Sequence, residues 1–195
     1  MSLSPSAQKI CDVAVKHFAR FGYDASSLAA IAEGAGMRKP SLYAHFAGKD
    51  ALFLQVLEIA LDEEKMVTRT SLAAQGGPSD VPGDGYLSGL QERYDGSPHF
   101  QFLLRTVYAP PVALREQIIE KYRGYESELR SVFMEGLEPS LVEDRANLLT
   151  EAFLGVVDGL QVELIYNSPQ TFEVRRDAMC RMLGAFAAAS AQPGS

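Results

Sequence analysis

A chain of 195 residues with 47% hydrophobic and 22% charged side chains has an ordinary globular composition, long enough to bury a core and near the boundary between one and two domains. With no apolar run long enough for a bilayer and no N-terminal signal pattern, the expected location is the cytoplasm. The net charge of −7 excludes a uniformly basic nucleic-acid binder, but the first fifty residues carry six basic and four acidic groups, a slightly basic head on an acidic remainder.

Helical signals run nearly throughout, and nothing reads as a strand. Ser4-Pro5 supplies a hydroxyl cap followed by proline at the first helical position. Ile10, Val13, Ala14, Phe18 and Phe21 then mark one helical face, and Gly22 ends it. Ser26-Ser27 caps a short second helix that turns Leu28, Ile31 and Ala32 inward, and Gly34-Ala35-Gly36 breaks it. A third short helix is expected over 38–45, with Pro40 tolerated in its first turn. After Gly48 a longer helix places Leu52, Phe53, Val56, Leu57 and Ala60 on its apolar side and runs to about Arg69. Residues 75–85 read as a linker; its glycines lack the Gly-Lys-Ser/Thr ending of a phosphate-binding loop. Further helices are expected over 86–95, 98–109, 111–135, 140–166 and 169–189.

Cys11 and Cys180 lie far apart in apolar helical contexts and read as buried thiols in a reducing compartment. Without a CxxC or Cys/His cluster, neither a metal nor a cofactor is expected. His17 and His99 have no companions that would make a catalytic set and read as structural. A helical enzyme would need such a set, and no local motif supplies one.

Two short helices joined by a tight glycine-containing turn behind a supporting helix make a helix-turn-helix pattern. Ala32, Ala35 and Gly36 are small where the second helix must cross the third. Leu42 and Phe46 suit the inner side of the third helix, which leaves Lys39, Ser41, Tyr43 and His45 facing outward. Residues 10–52 resemble the N-terminal domain of the tetracycline-repressor (TetR) family, over about a quarter of the chain. The resemblance rests on Phe18, Gly22-Tyr23, Ser27, Ile31-Ala32, Ala35-Gly36, Leu42-Tyr43, His45-Phe46 and Lys49, in order and without a gap. It implies that Ser27 caps the second helix and meets a phosphate, and that Tyr43 and His45 contact phosphates at the groove edge. It further implies that Lys49 pairs with a phosphate at the start of the fourth helix, and that Arg38, Lys39, Pro40 and Ser41 approach base edges. His17, Met37 and Arg38 depart from the family pattern. The first two are packing variations, and Arg38 forgoes a hydroxyl cap but places a cation by the DNA.

The expected architecture is thus all-α: a helix-turn-helix DNA-binding domain over 1–50 and a helical regulatory and dimerisation domain over 51–195. The helix over 140–166 has too many apolar residues for one stripe, so it is expected to bury one face within the subunit and another against a partner. Gly155 and Gly159 would admit a close helix, and the last helix, with Met179, Met182, Leu183 and Phe186, is its natural companion in a four-helix homodimer interface. Two recognition helices must reach grooves roughly 34–36 Å apart, so the operator is expected to be an inverted repeat in double-stranded DNA.

Asp158 interrupts an apolar helix and, if buried, needs a partner, for which Arg105 is the candidate. It reads as a structural ion pair, as a residue on an exposed face, or as part of a pocket. In the pocket reading, Phe102, Arg105, Tyr108, Tyr122, Phe153 and Asp158 take a small apolar or amphipathic ligand whose binding releases a repressor from its operator by population shift. The competing reading is a body that senses no small molecule and binds a protein partner.

Overall fold

A computed structural model describes residues 3–73, 81–137 and 141–191. Among them every regular element is helical: α1 Pro5–Ala25, α2 Leu28–Gly34, α3 Lys39–Tyr43, α4 Lys49–Ala73, α5 Asp84–Ser88, α6 Leu90–Gly96, α7 Pro98–Tyr108, a 3-10 turn Val112–Leu114, α8 Arg115–Glu135, α9 Glu143–Tyr166 and α10 Pro169–Ala191. The all-α expectation holds. Most of the expected linker and the start of the expected 140–166 helix lie outside the described residues.

Capping follows the sequence closely. Ser4 Oγ accepts from the Ala7 amide with Pro5 opening α1, Ser27 Oγ accepts from Ala30, and Ser97 Oγ accepts from Phe100. Two boundaries differ from expectation. Helix α1 continues past Gly22 to Ala25, but through a kink: Gly22 has φ 76° and ψ 179°, a conformation open to glycine and strained for other residues. The expected helix over 86–95 is two pieces, α5 and α6, parted at Gly89.

The chain forms two compact units. The first comprises Met1–Glu64 and Gly96–Gly124, so α7 packs with the helix-turn-helix. Its centre is an aromatic cluster: Phe18 and Phe53 meet edge to face at 4.9 Å, and Phe102 of α7 lies 5.0 Å from Phe53. All three rings are buried, alongside Ile10, Ala14, Ile31, Leu42, Leu52 and Val56, which accounts for the 3.6-residue spacing of apolar positions in α1 and α4. His99 Nδ1 lies 3.0 Å from Glu63 Oε2, and His17 Nδ1 lies 3.3 Å from Ser26 Oγ, so both histidines brace neighbouring elements.

The second unit comprises Lys65–Asp95 and Tyr125–Ser195. Phe133 of α8 and Phe153 of α9 stack at 3.9 Å with their planes 8° apart. The turn before α5 presses onto the same ring, with Gly83 at φ 78° and no room for a side chain: a Cβ there would lie 2.3 Å from Phe153 Cε2. Polar groups enter this core as a connected set, with the Tyr86 and Tyr125 hydroxyls 3.0 Å apart and Thr68 Oγ1 at 3.4 Å from Tyr125. Helix α10 comes close to α9 at Gly159, where a Cβ would meet Met179 at 3.0 Å; Gly155 has open space beside it. At the far end of the pair the buried Glu163 carboxylate takes an ion pair from Arg175 and a hydrogen bond of 2.7 Å from Asn167.

Of the cysteines, Cys11 is fully buried and burial pushes its thiol up to about 12. Cys180 is half-buried; both are free thiols.

Candidate nucleic-acid interface

The second helix ends in a way that aims the third. Gly36 has φ 70°, its amide donates to Glu33 O at 2.9 Å, and the Met37 amide donates to Ala32 O at 2.9 Å. These two bonds satisfy the last carbonyls of α2 and turn the chain sharply, the glycine-dependent stop that the Gly34-Ala35-Gly36 break announces. The Lys9 ammonium lies beside this turn, 3.6 Å from where a Gly36 Cβ would stand.

Helix α3 then begins at Lys39, with Arg38 as its cap residue and no side-chain cap bond. It is one residue shorter at its start and two at its end than expected, because the His45 and Phe46 amides both close on Leu42 O as the helix runs out. Leu42 and Phe46 are buried, as expected for the inner side. Arg38, Lys39, Pro40, Ser41, Tyr43 and His45 are all exposed. The Lys39 ammonium lies 5.9 Å above the Tyr43 ring, one helical turn away. Ser27 is exposed at the start of α2, its hydroxyl engaged by the Ala30 amide at 3.1 Å.

Lys49 is placed differently from the other seven DNA-contact candidates. It is half-buried, and its ammonium donates to Tyr23 O at 2.9 Å, Ser26 O at 3.2 Å and Asp24 O at 3.5 Å, while lying 4.2 Å above the Tyr23 ring. An ammonium has three protons, and here each has a carbonyl at the end of α1. The adjacent Asp50 accepts from the Tyr23 hydroxyl, and burial, reinforced by that bond, pushes the Tyr23 phenol up to about 12. Ser26 Oγ closes the other side by donating to Gly22 O at 2.6 Å. Together these contacts bind the end of α1 to the start of α4, behind α2 and α3. No sequence spacing reveals this clamp, since donor and acceptors stand more than twenty residues apart.

Residues 10–56 match the family model for bacterial regulatory proteins of the tetR family. Over 51 residues the chain is 45% identical to the HTH-type transcriptional repressor ComR of Escherichia coli (strain K12), a match covering 26% of this chain and 24% of that repressor. The head is that of the tetR family. The chain thus spans about a quarter of the length of the curated relative it matches.

Solved structures carry the likeness through the remainder as fold. A TetR-family transcriptional regulator from Agrobacterium tumefaciens superposes with a TM-score of 0.67 at 18% identity, over 91% of this chain and 96% of its own. The fatty acid degradation regulator FadR from Bacillus halodurans gives 0.71 at 16%, over 92% and 97%. FadR from Bacillus subtilis, in complex with stearoyl-CoA, gives 0.65 at 16%, over 92% and 98%. Beyond the tetR-family head, then, the chain has the fold of whole TetR-like regulators. No helix among the described residues is long and apolar enough to cross a membrane.

The six residues singled out for a ligand fall in both units. Phe102, Arg105, Tyr108 and Tyr122 belong to the first, where Phe102 is part of the aromatic cluster; Phe153 and Asp158 belong to the second. Asp158 is exposed on α9, and the packing around its carboxyl, then the nearby Glu126 carboxylate, holds its pKa above the usual value. The expected cation, Arg105, instead lays its guanidinium against Gly22.

Proposed function

We propose that this chain is a ligand-responsive repressor that binds an inverted-repeat operator as a homodimer. The observation that carries the DNA-binding part is the one-sided third helix: six exposed side chains from Arg38 to His45 over a buried Leu42 and Phe46. Arg38, Lys39, Pro40 and Ser41 read base edges, while Ser27, Tyr43 and His45 meet phosphates. Lys49 acts indirectly, by holding the end of α1 to the start of α4 through its three carbonyl contacts. The functional division is DNA contact by residues 1–50 and regulation and dimerisation by 51–195.

Dimerisation is supported by a largely apolar groove of about 440 Å³ along α9 and α10, lined by Leu148, Ala152, Val156, Met182, Leu183 and Phe186 together with Glu151. Leu148 and Met182 are 57% and 62% exposed there, an apolar surface that a second copy would cover. Ligand response is supported by the fold shared with a regulator seen with stearoyl-CoA.

Operator selection on random duplexes with the purified full chain tests the reading. An enriched inverted repeat is expected, with affinity falling steeply with salt and Lys39→Ala shifting the preferred bases. Failure to bind any duplex at low ionic strength would overturn it.

A further inference from the structure

Beside the aromatic core of the first unit is a cleft that the DNA-facing residues do not line. It is about 220 Å³ in volume and opens between the end of α1 and the C-terminal end of α7; the half-buried Tyr23 and the exposed Phe21 line it, together with the buried Phe18 and Phe53 and with Arg105.

Arg105 is an exposed residue whose guanidinium lies against Gly22 in the lining of the cleft. Its Nη2, Nε and Cζ lie 3.0, 3.2 and 3.4 Å from where a Cβ on residue 22 would stand, so the guanidinium rests on a bare backbone that only glycine at φ 76° provides. Among the described residues Arg105 makes no hydrogen bond and no ion pair. Its planar fork of donors is therefore exposed to solvent and open to an anion in the cleft. Around it, Phe21 is 44% exposed, an apolar ring left at the surface where it borders the cleft.

A fork of N–H donors selects a planar carboxylate, and aromatic walls select a flat ring. The volume lies below the roughly 300–1,000 Å³ of drug-sized sites, which limits the occupant to one ring and its substituent. Asp24 also borders the cleft and disfavours a second negative charge. We propose that this cleft is a binding site for a small aryl monocarboxylate. An occupant would touch Tyr23 and Asp24, whose carbonyls hold Lys49, so it would act on the head directly and not through the core of the second unit.

Calorimetric titration of the full chain with benzoate, benzamide and phthalate tests this. Benzoate should bind, benzamide (the same shape without the charge) should bind at least about tenfold more weakly, and phthalate should also be weaker. Arg105→Gln should cost benzoate at least about tenfold while leaving the thermal transition in place, and Arg105→Lys should fall between. Equal binding of benzamide, unchanged binding by R105Q, or no benzoate binding up to about 10 mM would overturn the site. A chain that takes benzoate through Arg105 but ignores DNA would sink the operator reading alone; the reverse pattern would sink this one alone.

Discussion

Replacing Lys49 by alanine separates two jobs that a lysine at the start of α4 could hold. In the structure its ammonium bonds Tyr23 O at 2.9 Å and Ser26 O at 3.2 Å, with a longer contact of 3.5 Å to Asp24 O. Hydrogen bonds to a charged group contribute about 1.5–3 kcal/mol each when well formed. The side chain is half-buried and alanine admits water to the freed carbonyls, so two good bonds discounted for that access give a loss of about 2–3 kcal/mol. Urea unfolding followed by circular dichroism should show that loss as a lower midpoint at unchanged slope. Operator affinity, measured by fluorescence anisotropy across salt concentrations, should fall at every salt with the log–log slope nearly preserved, because no direct phosphate pair is lost. A lysine bonded directly to phosphate behaves in the opposite way: stability within about 0.5 kcal/mol of the parent and a slope smaller by about one. That result would refute the clamp.

Gly83→Ala should destabilise by about 2–3 kcal/mol in the same urea assay, since it adds left-handed strain to a Cβ that would stand 2.3 Å from Phe153 Cε2. Gly124→Ala, within α8 with nothing inside 4 Å of its Cβ position, should stabilise by about 0.5–1 kcal/mol. The Tyr23 phenol has a raised pKa, so the folded chain holds that proton more tightly than the unfolded one. Its contribution is whole below the ordinary value near 10 and fades as pH climbs through about 12, and the difference in ultraviolet titration between the parent and Tyr23→Phe should appear near the upper value. In Cys180→Ala, the remaining Cys11 thiol should ignore a disulfide reagent at neutral pH until denaturant is added, because burial holds it protonated and out of reach.

Local chemistry made the helices legible. Ser4-Pro5, Ser27 and the Gly34-Ala35-Gly36 break each do in three dimensions what their residue types announce, because caps and turns are decided within a few residues. The inward pair Leu42 and Phe46 was readable for the same reason. Asp158 takes the exposed-face alternative: a period count puts it with Glu151 and Gly155, at spacings of four and three, on the exposed stripe of α9. The inward turn of Lys49, the bond from Tyr23 to Asp50 and the seat of Arg105 on Gly22 depend on segments distant in sequence, and no window along the chain contains both halves.

The place of Phe102 in the aromatic cluster bears on protein engineering. Phe102 belongs to α7, yet it lies 5.0 Å from Phe53 and 6.0 Å from Phe18, with 1% of its surface exposed. A fragment cut after residue 64 would open a hole the size of a benzene ring at its middle, at a cost of about 3–5 kcal/mol by analogy with large-to-small core changes. Anyone transplanting the helix-turn-helix of this chain into another protein therefore has to carry Gly96–Gly124 along with Met1–Glu64, or supply a ring of equal bulk from the recipient.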